Sequence, residues 1–432
     1  MNDRTGDDMQ GTDTLTREAT EATIESVRVA VRAWLMEHWQ PDAGLVSWRR
    51  QLASSGWAVP SWPEQWHGRG LPAWADDVVR DEFARGGFVG PPAGVGMRLA
   101  GPAILTHGPD HLRQEFLHGT ITGETTWCQL FSEPGAGSDL AGLTATATLD
   151  GDAWVINGQK VWSTSAHHAD LGLLLARTDW NAPKHLGISC FILPMRQPGV
   201  EVRPLRQMNG HSSFNEIFLT DARVPIGHVI GGKGKGWDVA LTTLAFERRF
   251  GVMSRPMYTT GEGRAVEEAR REAAEHHRPY VWYPQRAGRV DLVLDRARAT
   301  ARSDEPVLRQ EIARLMTISR ISQWTAQRAQ SARALGRPPG PEGSIGKLAT
   351  SLVSKQAAHV HAAIAGAGGM LTGRDSPLDG VIAEILVSVP AQSIAGGTDE
   401  IQRNILAERV LGLPREGPST SDRPFREVMH GS

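Results

Sequence analysis

Cysteine is scarce in this chain: Cys128 and Cys190 are the only two among 432 residues. Two cysteines cannot build a framework of several disulfides, and this scarcity fits a reducing cytoplasm. Excess charge of either sign is also missing, since 46 basic and 48 acidic residues leave a formal net charge of −2. That balance gives no electrostatic attraction to nucleic acid or to an anionic membrane. We therefore expect a cytoplasmic protein with neither kind of partner.

Signals for membrane insertion, export and metal binding are missing as well. No apolar run is long enough to cross a bilayer. The opening residues, "MNDRTGDDMQGTDTLT", lack the basic start and apolar stretch of a signal peptide. The 15 histidines lack the spacing and carboxylate partners of a zinc site. Neither a Gly-x-Ser-x-Gly elbow nor a Walker loop occurs, so we expect no metal and no such nucleophile.

The hydrophobic pattern divides the chain into helical, β and helical parts. From Thr16 apolar residues recur at helical spacing, and seven of the 14 tryptophans lie between Trp34 and Trp74. After Thr122 the pattern alternates, which predicts an antiparallel β-domain, either sandwich or barrel, before a glycine-rich hinge, "GGKGKG". This order is typical of an α+β fold. We predict a disordered tail over 1–15, an N-terminal helical domain over 16–123, the β-domain over 124–232, C-terminal helices over 233–414 and a frayed tail over 415–432.

Two local predictions concern turns and burial. Asp150-Gly151 and Asn157-Gly158 are typical of hairpin turns. The run "WDVALTTLAFERRFGVMS" is apolar on most sides, which predicts a buried helix.

The run "FSEPGAGSD" begins at Phe131 and is predicted to be a loop in the β-domain. Its small residues Gly135, Ala136 and Gly137 leave backbone N–H groups free to face a ligand. Ser132 and Ser138 add hydroxyl donors, and such a loop suits an anion or the polar edge of a flat ring. A hairpin loop that binds nothing explains the same spacing.

A second candidate is "GQKVWSTSA", in which Trp162 and Thr164 are two apart on one predicted strand. Side chains two apart on a strand share a face. The indole and the hydroxyl could therefore cover a planar cofactor and bond to its edge, although a core tryptophan in a sheet has the same pattern.

The third candidate lies in the predicted buried helix, where "LAFERRFG" places Glu247 and Arg248. Burying a carboxylate is costly unless it is paired or used. Burial also raises its pKa toward the range of a general base. A surface ion pair of Glu247 with Arg248 or Arg249 is the alternative.

Near the C-terminus, "IAGGT" places Gly396 and Gly397 just before a predicted helix. A glycine at such a point allows close approach to the backbone.

Together, "SEPGAGSD", "INGQKVW" and "GGTDEIQRNILAERVLG" resemble the acyl-CoA dehydrogenase family, in the same order along the chain. The resemblance covers about residues 50–416. Runs such as "WAVPSWPEQWHGRG" resemble its actinobacterial branch, which acts on sterol-derived and other bulky acyl-CoA thioesters. The resemblance implies an N-terminal helical domain, a central antiparallel β-barrel and a C-terminal four-helix bundle.

It also implies FAD as the cofactor, an acyl-CoA thioester as the substrate and an electron-transfer flavoprotein as the oxidant of the reduced flavin. Ser138 would in addition lie near the CoA pantetheine, and Arg248 would contact the CoA. The positions implied to bind the flavin are Gln129, Phe131, Ser132, Gly137, Ser138, Trp162, Thr164, Thr398 and Glu400.

The resemblance identifies two possible positions for the base. Many family members carry a catalytic glutamate where this chain has Gly396, and others carry it in the first helix of the C-terminal domain. Glu247 matches the second position, which implies that it removes the α-proton. Gly396 keeps its N–H, which would donate to the thioester carbonyl. The missing side chain implies room for a branched or bulky acyl group.

Two family features are missing. We find no Arg-x-x-Phe-Gly motif, and Ala363 stands where a glutamine would reach a neighbour's adenine. The segment 267–304 is also longer than in typical members. The pattern resembles mixed tetramers, so we expect a second dehydrogenase-like subunit, with a homo-oligomer as the alternative.

Three functions follow from these observations. The first is an FAD-dependent acyl-CoA dehydrogenase with Glu247 as base. The second is a flavin-dependent monooxygenase or oxidase on the same fold, and the third is a non-catalytic subunit of a heteromeric dehydrogenase. A carboxylate kept at position 247 favours the first over the third.

Overall fold

Helices, a sheet and further helices follow one another in the computed structural model, which describes residues 7–249, 261–334, 340–414 and 422–428. The helix–sheet–helix layout predicted from the sequence is thus confirmed.

The N-terminal domain contains five α-helices. Val27, Val31 and Leu35, which recur at helical spacing on the first helix, are buried. That helix begins at Asp7, within the range 1–15 that the sequence predicts to be a disordered tail. The helices are α1 (Asp7–His38), α2 (Leu45–Ser55), α3 (Ala75–Gly86), α4 (Gly101–His107) and α5 (Asp110–Thr122).

Eight strands form one sheet in the middle of the chain. They are β1 (Trp127–Leu130), β2 (Thr146–Asp150), β3 (Ala153–Thr164), β4 (Leu171–Arg177), β5 (Ile188–Pro194), β6 (Val200–Leu205), β7 (Phe214–Pro225) and β8 (Val229–Ile230). The strand order is β6-β7-β3-β2-β4-β5-β8, with β1 paired to β4. Pairing is antiparallel except for β1 with β4 and β2 with β4, which are parallel. Strands β4 and β5 are buried almost throughout, which explains their continuous apolar runs.

Of the two dipeptides predicted to form hairpin turns, one connects two strands and the other lies inside a strand. Asp150-Gly151 does connect β2 to β3, and Gly151 has a φ of 62°. The turn predicted at Asn157-Gly158 is wrong, because both residues lie inside β3 at a shift in its register with β7. A Cβ at Gly158 would lie 2.8 Å from the Cα of Ala145, so the glycine permits a close approach between strands. Asn157 exchanges two hydrogen bonds of 2.9 Å with Asp221.

The C-terminal part is built from helices of very different lengths. They are α6 (Gly236–Arg249), α7 (Arg264–His277), α8 (Tyr283–Arg286), α9 (Val293–Ala299), α10 (Pro306–Ala334), α11 (Glu342–Ala365), α12 (Val381–Ser388) and α13 (Asp399–Arg409). Helix α7 binds to the N-terminal domain: Glu268 accepts from the N–H of Leu45 at 2.7 Å, and Glu272 pairs with the buried Arg49 at 2.6 Å.

Helix α6 was predicted to be buried, and the structure buries one face only. Val239, Ala240 and Thr243 are buried, whereas Leu241 is exposed.

The end of the chain holds a buried anchor. The short helix α14 (Phe425–Val428) buries Phe425, whose ring centroid lies 3.5 Å from the guanidinium carbon of Arg177. The N–H of Phe425 donates to the carbonyl of Ala182 at 3.0 Å. This helix lies within the range 415–432 that the sequence predicts to be a frayed tail, and its aromatic side chain packs against the β-domain.

Within the described ranges, no helix combines the length and apolarity needed to span a membrane. The same residues contain no group of three or more histidine, cysteine, aspartate or glutamate side chains arranged to hold a metal ion.

Candidate active site

The loop that begins at Phe131 makes a tight turn. Glu133 and Ala136 exchange two backbone hydrogen bonds of 3.0 Å around Pro134 and Gly135. Cβ atoms added at Gly135 and Gly137 would meet no atom within 4 Å, so both positions face open space. Ser138 is exposed beside them. The loop thus presents backbone and hydroxyl donors to a region that this chain leaves open.

A buried ion pair joins this loop to β3. Lys160 Nζ donates to Glu133 Oε1 at 2.8 Å and to the carbonyl of Phe131 at 3.1 Å, and Lys160 is fully buried. Glu133 also accepts from the backbone N–H groups of Thr144 and Ala145, at 2.7 and 2.9 Å. Burial alone would raise the pKa of Glu133, but Lys160 and these two donors hold it below the usual value.

Residues around this pair are predicted from the sequence to bind the flavin, whereas the pair itself has no predicted role. Gln129 is half-buried on β1, whereas the side chain of Phe131 belongs to the core. Glu133 and Lys160 lie inside the two quoted motifs, and their opposite charges were the feature of the sequence that could have suggested an ion pair.

Trp162 has an unusual backbone and an unusual exposure. Its φ is 64° and its side chain is 56% exposed, although Val161 and Ser163 on either side are buried. Thr164, two residues further along β3, is half-buried. A non-glycine residue at positive φ is strained, and such strain is concentrated at functional sites. An exposed indole held in this conformation is available to cover a flat ligand.

The loop before α13 is also open to a ligand. Gly396 and Gly397 have φ values of 70° and 87°, a region that favours glycine. A Cβ at Gly396 would meet nothing within 4 Å, whereas one at Gly397 would lie 2.5 Å from Gln402 Nε2. That nitrogen donates to the carbonyl of Gly396 at 3.1 Å. Thr398 caps α13, because its hydroxyl accepts from the N–H of Ile401 at 3.2 Å.

A charged cluster fixes the start of α13 to α11. The buried carboxylate of Asp399 accepts from Lys347 at 3.1 Å, from Lys355 at 2.9 Å and from the hydroxyl of Ser351 at 2.8 Å. Burial would raise the pKa of Asp399, but these donors lower it below the usual value. Glu400, the next residue, is exposed and lies 3.6 Å from Arg403. The anchor next to the glycine loop is therefore Asp399, which the sequence analysis did not single out.

Glu247 is half-buried near the end of the described part of α6. Its charge acts on two groups of α8, Tyr283 and Arg286. Burial raises the pKa of Tyr283, and the nearby Glu247 carboxylate adds to that rise. Arg248, the predicted CoA contact, is a residue of α6, but its side chain lies outside the described part of the structure.

Residues 278–290 bring side chains to Glu247 that the sequence analysis did not assign. Tyr280 and Trp282 are buried against β7, where Trp282 Nε1 donates to the hydroxyl of Ser213 at 2.7 Å and the Tyr280 hydroxyl to its carbonyl at 3.2 Å. Two of the three tyrosines of the chain lie in this segment. That concentration of aromatic residues in a polar stretch was the feature of the sequence that could have identified this segment as part of the site.

Aromatic contacts connect the strand motif to α8. The rings of Trp162 and Phe214 are 5.9 Å apart, those of Phe214 and Tyr280 6.3 Å, and those of Tyr280 and Tyr283 5.1 Å. Arg286 on the same helix donates to the side chain of Gln392 at 3.0 Å, four residues before Gly396. The structure thus joins the strand motif, α8 and the glycine loop in one region, with Glu247 acting on α8.

The residues present fit a flavin. Open space at Gly135, Gly137 and Gly396 leaves room beside three backbone segments, and the exposed Trp162 offers an indole that can cover a flat ring. Ser132, Ser138 and Thr164 add hydroxyl donors for the polar edge.

Comparisons with known proteins agree with this geometry. Three acyl-CoA dehydrogenase family models match: the N-terminal domain at residues 12–124, the middle domain at 128–222 and the C-terminal domain at 282–411. The chain is 33% identical over 416 residues to acyl-CoA dehydrogenase IpdE1 of Mycobacterium tuberculosis, covering 91% of this chain and 98% of that protein.

Two solved structures are similar throughout. The Tcur3481-Tcur3483 steroid acyl-CoA dehydrogenase matches with a TM-score of 0.63 and 25% identity, over 91% of this chain and 98% of that one. The ChsE4-ChsE5 complex from Mycobacterium tuberculosis has a TM-score of 0.63 and 24% identity, with the same coverage of 91% and 98%. This chain belongs to the acyl-CoA dehydrogenase family, whose members are FAD-dependent oxidoreductases. The family, the enzyme class and the cofactor predicted from the sequence are confirmed.

Proposed function

We propose that this enzyme removes hydrogen across the α and β carbons of an acyl-CoA thioester, with Glu247 as the base. One observation carries the proposal: Glu247 is a half-buried carboxylate whose charge acts on Tyr283 and Arg286, while Gly396 offers only its backbone. A carboxylate beside buried groups can be tuned toward the pKa that proton removal requires.

Different groups of this chain have different roles in the proposed reaction. Glu247 accepts the α-proton, and the N–H of Gly396 donates to the thioester carbonyl as negative charge develops on it. One such donor contributes about 3–4 kcal/mol. Thr398 fixes the loop by capping α13, and Gln402 holds the Gly396 carbonyl at 3.1 Å. Trp162 and the loop ending at Ser138 would hold FAD, which would supply the hydride acceptor for the β-hydrogen.

The acyl group is proposed to be bulky, of the sterol-derived kind. A Cβ at Gly396 would meet no protein atom within 4 Å, so a large substituent has room there. The similar solved structure with 25% identity is named a steroid acyl-CoA dehydrogenase. Ser138 and Arg248 are proposed to contact the CoA part of the substrate.

The test is reduction of the flavin by acyl-CoA under anaerobic conditions, with Glu247→Gln compared with the wild type. We expect bulky, branched acyl-CoA thioesters to bleach the flavin, and Glu247→Gln to slow bleaching at least about 10²-fold. Asp238→Asn, an exposed carboxylate on the same helix, is the matched control and should keep the wild-type rate. A wild-type rate in Glu247→Gln would remove Glu247 as base.

Experiments on the same purified protein distinguish the proposed function from the two alternative functions. Oxygen consumption with reduced flavin but no bleaching by any acyl-CoA would indicate an oxidase or monooxygenase. An absence of all flavin chemistry, even with a partner present, would indicate a non-catalytic subunit. The proposed oxidant of the reduced flavin is an electron-transfer flavoprotein in the cytoplasm, a location that the two free, buried cysteines fit.

We further propose that a second dehydrogenase-like subunit completes the assembly as a heterotetramer. On α10, Ile321 is 52% and Trp324 60% exposed, a large apolar area for a single chain. The two similar solved structures are each named for a pair of proteins, Tcur3481-Tcur3483 and ChsE4-ChsE5. Expressed alone, the chain should hold FAD poorly, and co-expression with a dehydrogenase-like subunit should restore flavin. A homotetramer with full flavin content, measured by light scattering and absorbance, would contradict this assembly.

A further inference from the structure

Arg177, the last residue of β4, binds three backbone carbonyl groups at once. Its Nε donates to the carbonyl of Leu143 at 3.1 Å, and its Nη2 donates to that of Ala141 at 2.7 Å. Its Nη1 donates to the carbonyl of Lys184 at 3.1 Å, in the loop between β4 and β5. Because the donors of a planar guanidinium point in set directions, Arg177 fixes the stretch that follows the loop at residues 131–139.

The segment 422–428 covers this arginine from the end of the chain. The ring centroid of Phe425 lies 3.5 Å from the guanidinium carbon of Arg177 and 5.6 Å from the ring centroid of Trp180. Arg177 is almost completely buried, and its three hydrogen bonds go to neutral carbonyls. An aromatic face stabilises such a desolvated cation. Burial lowers the pKa of Arg177 to about 10, so the group remains protonated at neutral pH.

The backbone of the segment 422–428 is bound to the same loop. The N–H of Phe425 donates to the carbonyl of Ala182 at 3.0 Å, and the N–H of Arg426 donates to that of Trp180 at 3.2 Å. Among the described residues 422–428, Phe425 is the one whose side chain is buried, whereas Arg426 is exposed. The Phe425 ring is therefore the side chain that attaches this segment to the β-domain.

An ion pair continues from this loop to the proposed binding residues. The ammonium group of Lys184 binds the carboxylate of Asp139, the residue after Ser138. Lys184 thus accepts from Arg177 at its carbonyl and holds Asp139 with its side chain. A displacement of Arg177 would reach the end of the loop at residues 131–139 through Lys184 and also through the two other carbonyls that it binds.

We propose that Phe425 is a positioning residue: its ring fixes the Arg177 guanidinium, which in turn fixes residues 139–143 and keeps Ser138 in place to bind its ligands. This inference rests on the proposed function, in which Ser138 contacts the flavin and the CoA part of the substrate. Without the ring the guanidinium can tilt, and the stretch 139–143 opens more often. The effect is on binding, and proton removal by Glu247 is unaffected.

A phenylalanine that only adds stability to the fold would be buried in the same way. The two roles differ in where the effect of a substitution appears. A positioning role predicts a local change at residues 139–143, whereas a loss of general stability has no preference for that stretch. Phe83 on α3 is also buried, in the N-terminal domain, and is therefore the matched control.

The test measures hydrogen–deuterium exchange of the backbone amides at 139–145 in the full-length protein or its complex. Phe425→Leu keeps an apolar side chain but loses the aromatic face. We expect exchange at 139–145 to become about tenfold faster, since the N–H groups of Gly142 and Leu143 bond within this stretch. Phe425→Tyr keeps the aromatic face and should restore wild-type exchange. Phe83→Leu should leave exchange at 139–145 unchanged.

Flavin reduction by a bulky acyl-CoA provides the second measurement. In Phe425→Leu we expect KM for the acyl-CoA to rise about threefold to tenfold, while the rate at saturation stays close to that of the wild type. Phe425→Tyr should return KM toward the wild-type value. A role in stability alone would lower the fraction of active enzyme and leave KM unchanged.

Unchanged exchange at 139–145 in Phe425→Leu, or an equal increase in Phe83→Leu, would overturn the inference. A fall in the saturated rate at unchanged KM would do the same. If Phe425→Leu fails to fold, Arg177→Lys keeps the charge but loses the fork of donors, and it should also speed exchange at 139–145. Unchanged exchange in that variant would equally overturn the inference. Exchange does not depend on catalysis, so failure of the proposed function appears separately, as a wild-type rate in Glu247→Gln.

Discussion

Lys160 and Glu133 form a buried ion pair at 2.8 Å, and this pair holds the loop at residues 131–139 against β3. The two residues are 27 positions apart in sequence. Each belongs to a different motif, and neither was assigned a role from the sequence. The pair explains how the two motifs come to lie side by side in the folded chain.

We expect Lys160→Met to destabilise the protein strongly, because it leaves the Glu133 carboxylate buried without its cation. Breaking a buried pair on one side costs about 3–5 kcal/mol. The double variant Glu133→Gln, Lys160→Met removes both charges and should recover part of that loss. The measurement is the free energy of unfolding from denaturant titration. A double variant no more stable than Lys160→Met alone would contradict the explanation.

The Asp399 cluster predicts how stability depends on pH. The pKa of Asp399 is lower in the folded state than its ordinary value of 3.8. Its ionised form therefore stabilises the fold above that value, and the contribution is lost as the pH falls through the folded-state pKa. We expect Asp399→Asn to be less stable than the wild type near neutral pH. The difference should start to shrink only below about pH 4, near the ordinary pKa of aspartate, and continue to shrink as the pH falls through the lower folded-state pKa.

Denaturation curves at several pH values check this prediction. Glu400→Gln, at the exposed neighbouring residue, is the control for stability. A difference between Asp399→Asn and the wild type that stays constant with pH would show that the carboxylate's charge is not the cause.

The two loop glycines should differ in their tolerance of alanine. Gly396→Ala meets no steric clash but keeps a φ of 70°, which costs about 1–2 kcal/mol. Gly397→Ala adds a Cβ 2.5 Å from Gln402 Nε2, so it also disrupts the hydrogen bond to the Gly396 carbonyl. We expect Gly397→Ala to lose more stability and more activity.

Gly396→Ala also tests where the acyl group binds. Since the space at Gly396 is open in this chain, Gly396→Ala should raise KM more for bulky than for short acyl-CoA substrates. Steady-state kinetics with two thioesters of different size measure this ratio. Equal effects on both substrates would place the acyl group elsewhere.

Trp162→Ala should weaken flavin binding without unfolding the protein. The side chain is 56% exposed, so its removal leaves the core intact. Loss of an aromatic contact of about 0.5–1.5 kcal/mol corresponds to a several-fold to roughly tenfold weaker affinity. Flavin retention by absorbance and thermal unfolding measure the two effects. Leu149→Ala, another exposed apolar residue in the sheet, is the control and should retain the flavin.

The parts of the site that the sequence predicted are those encoded within a short stretch. The Gly135 and Gly137 loop, the Trp162 and Thr164 pair and the Gly396 loop are each defined by neighbouring residues in the sequence. Asn157-Gly158 shows where local reasoning fails. The dipeptide is typical of a turn, but Ala145, the residue just before β2, occupies the space where a side chain at position 158 would lie.

By itself the sequence determined the order of helices, strands and helices, the two glycine-rich loops and the family, because periodicity and motif spacing are local properties of the chain. Only the tertiary structure decided that Glu133 meets Lys160, that Asp399 anchors the glycine loop and that Arg286 bonds to Gln392. These contacts join residues far apart in sequence. Which residues meet depends on how the domains pack and on which charged side chains the packing buries. Burial of Phe425 against Arg177 was decided in the same way, since no local pattern distinguishes an anchor from a tail.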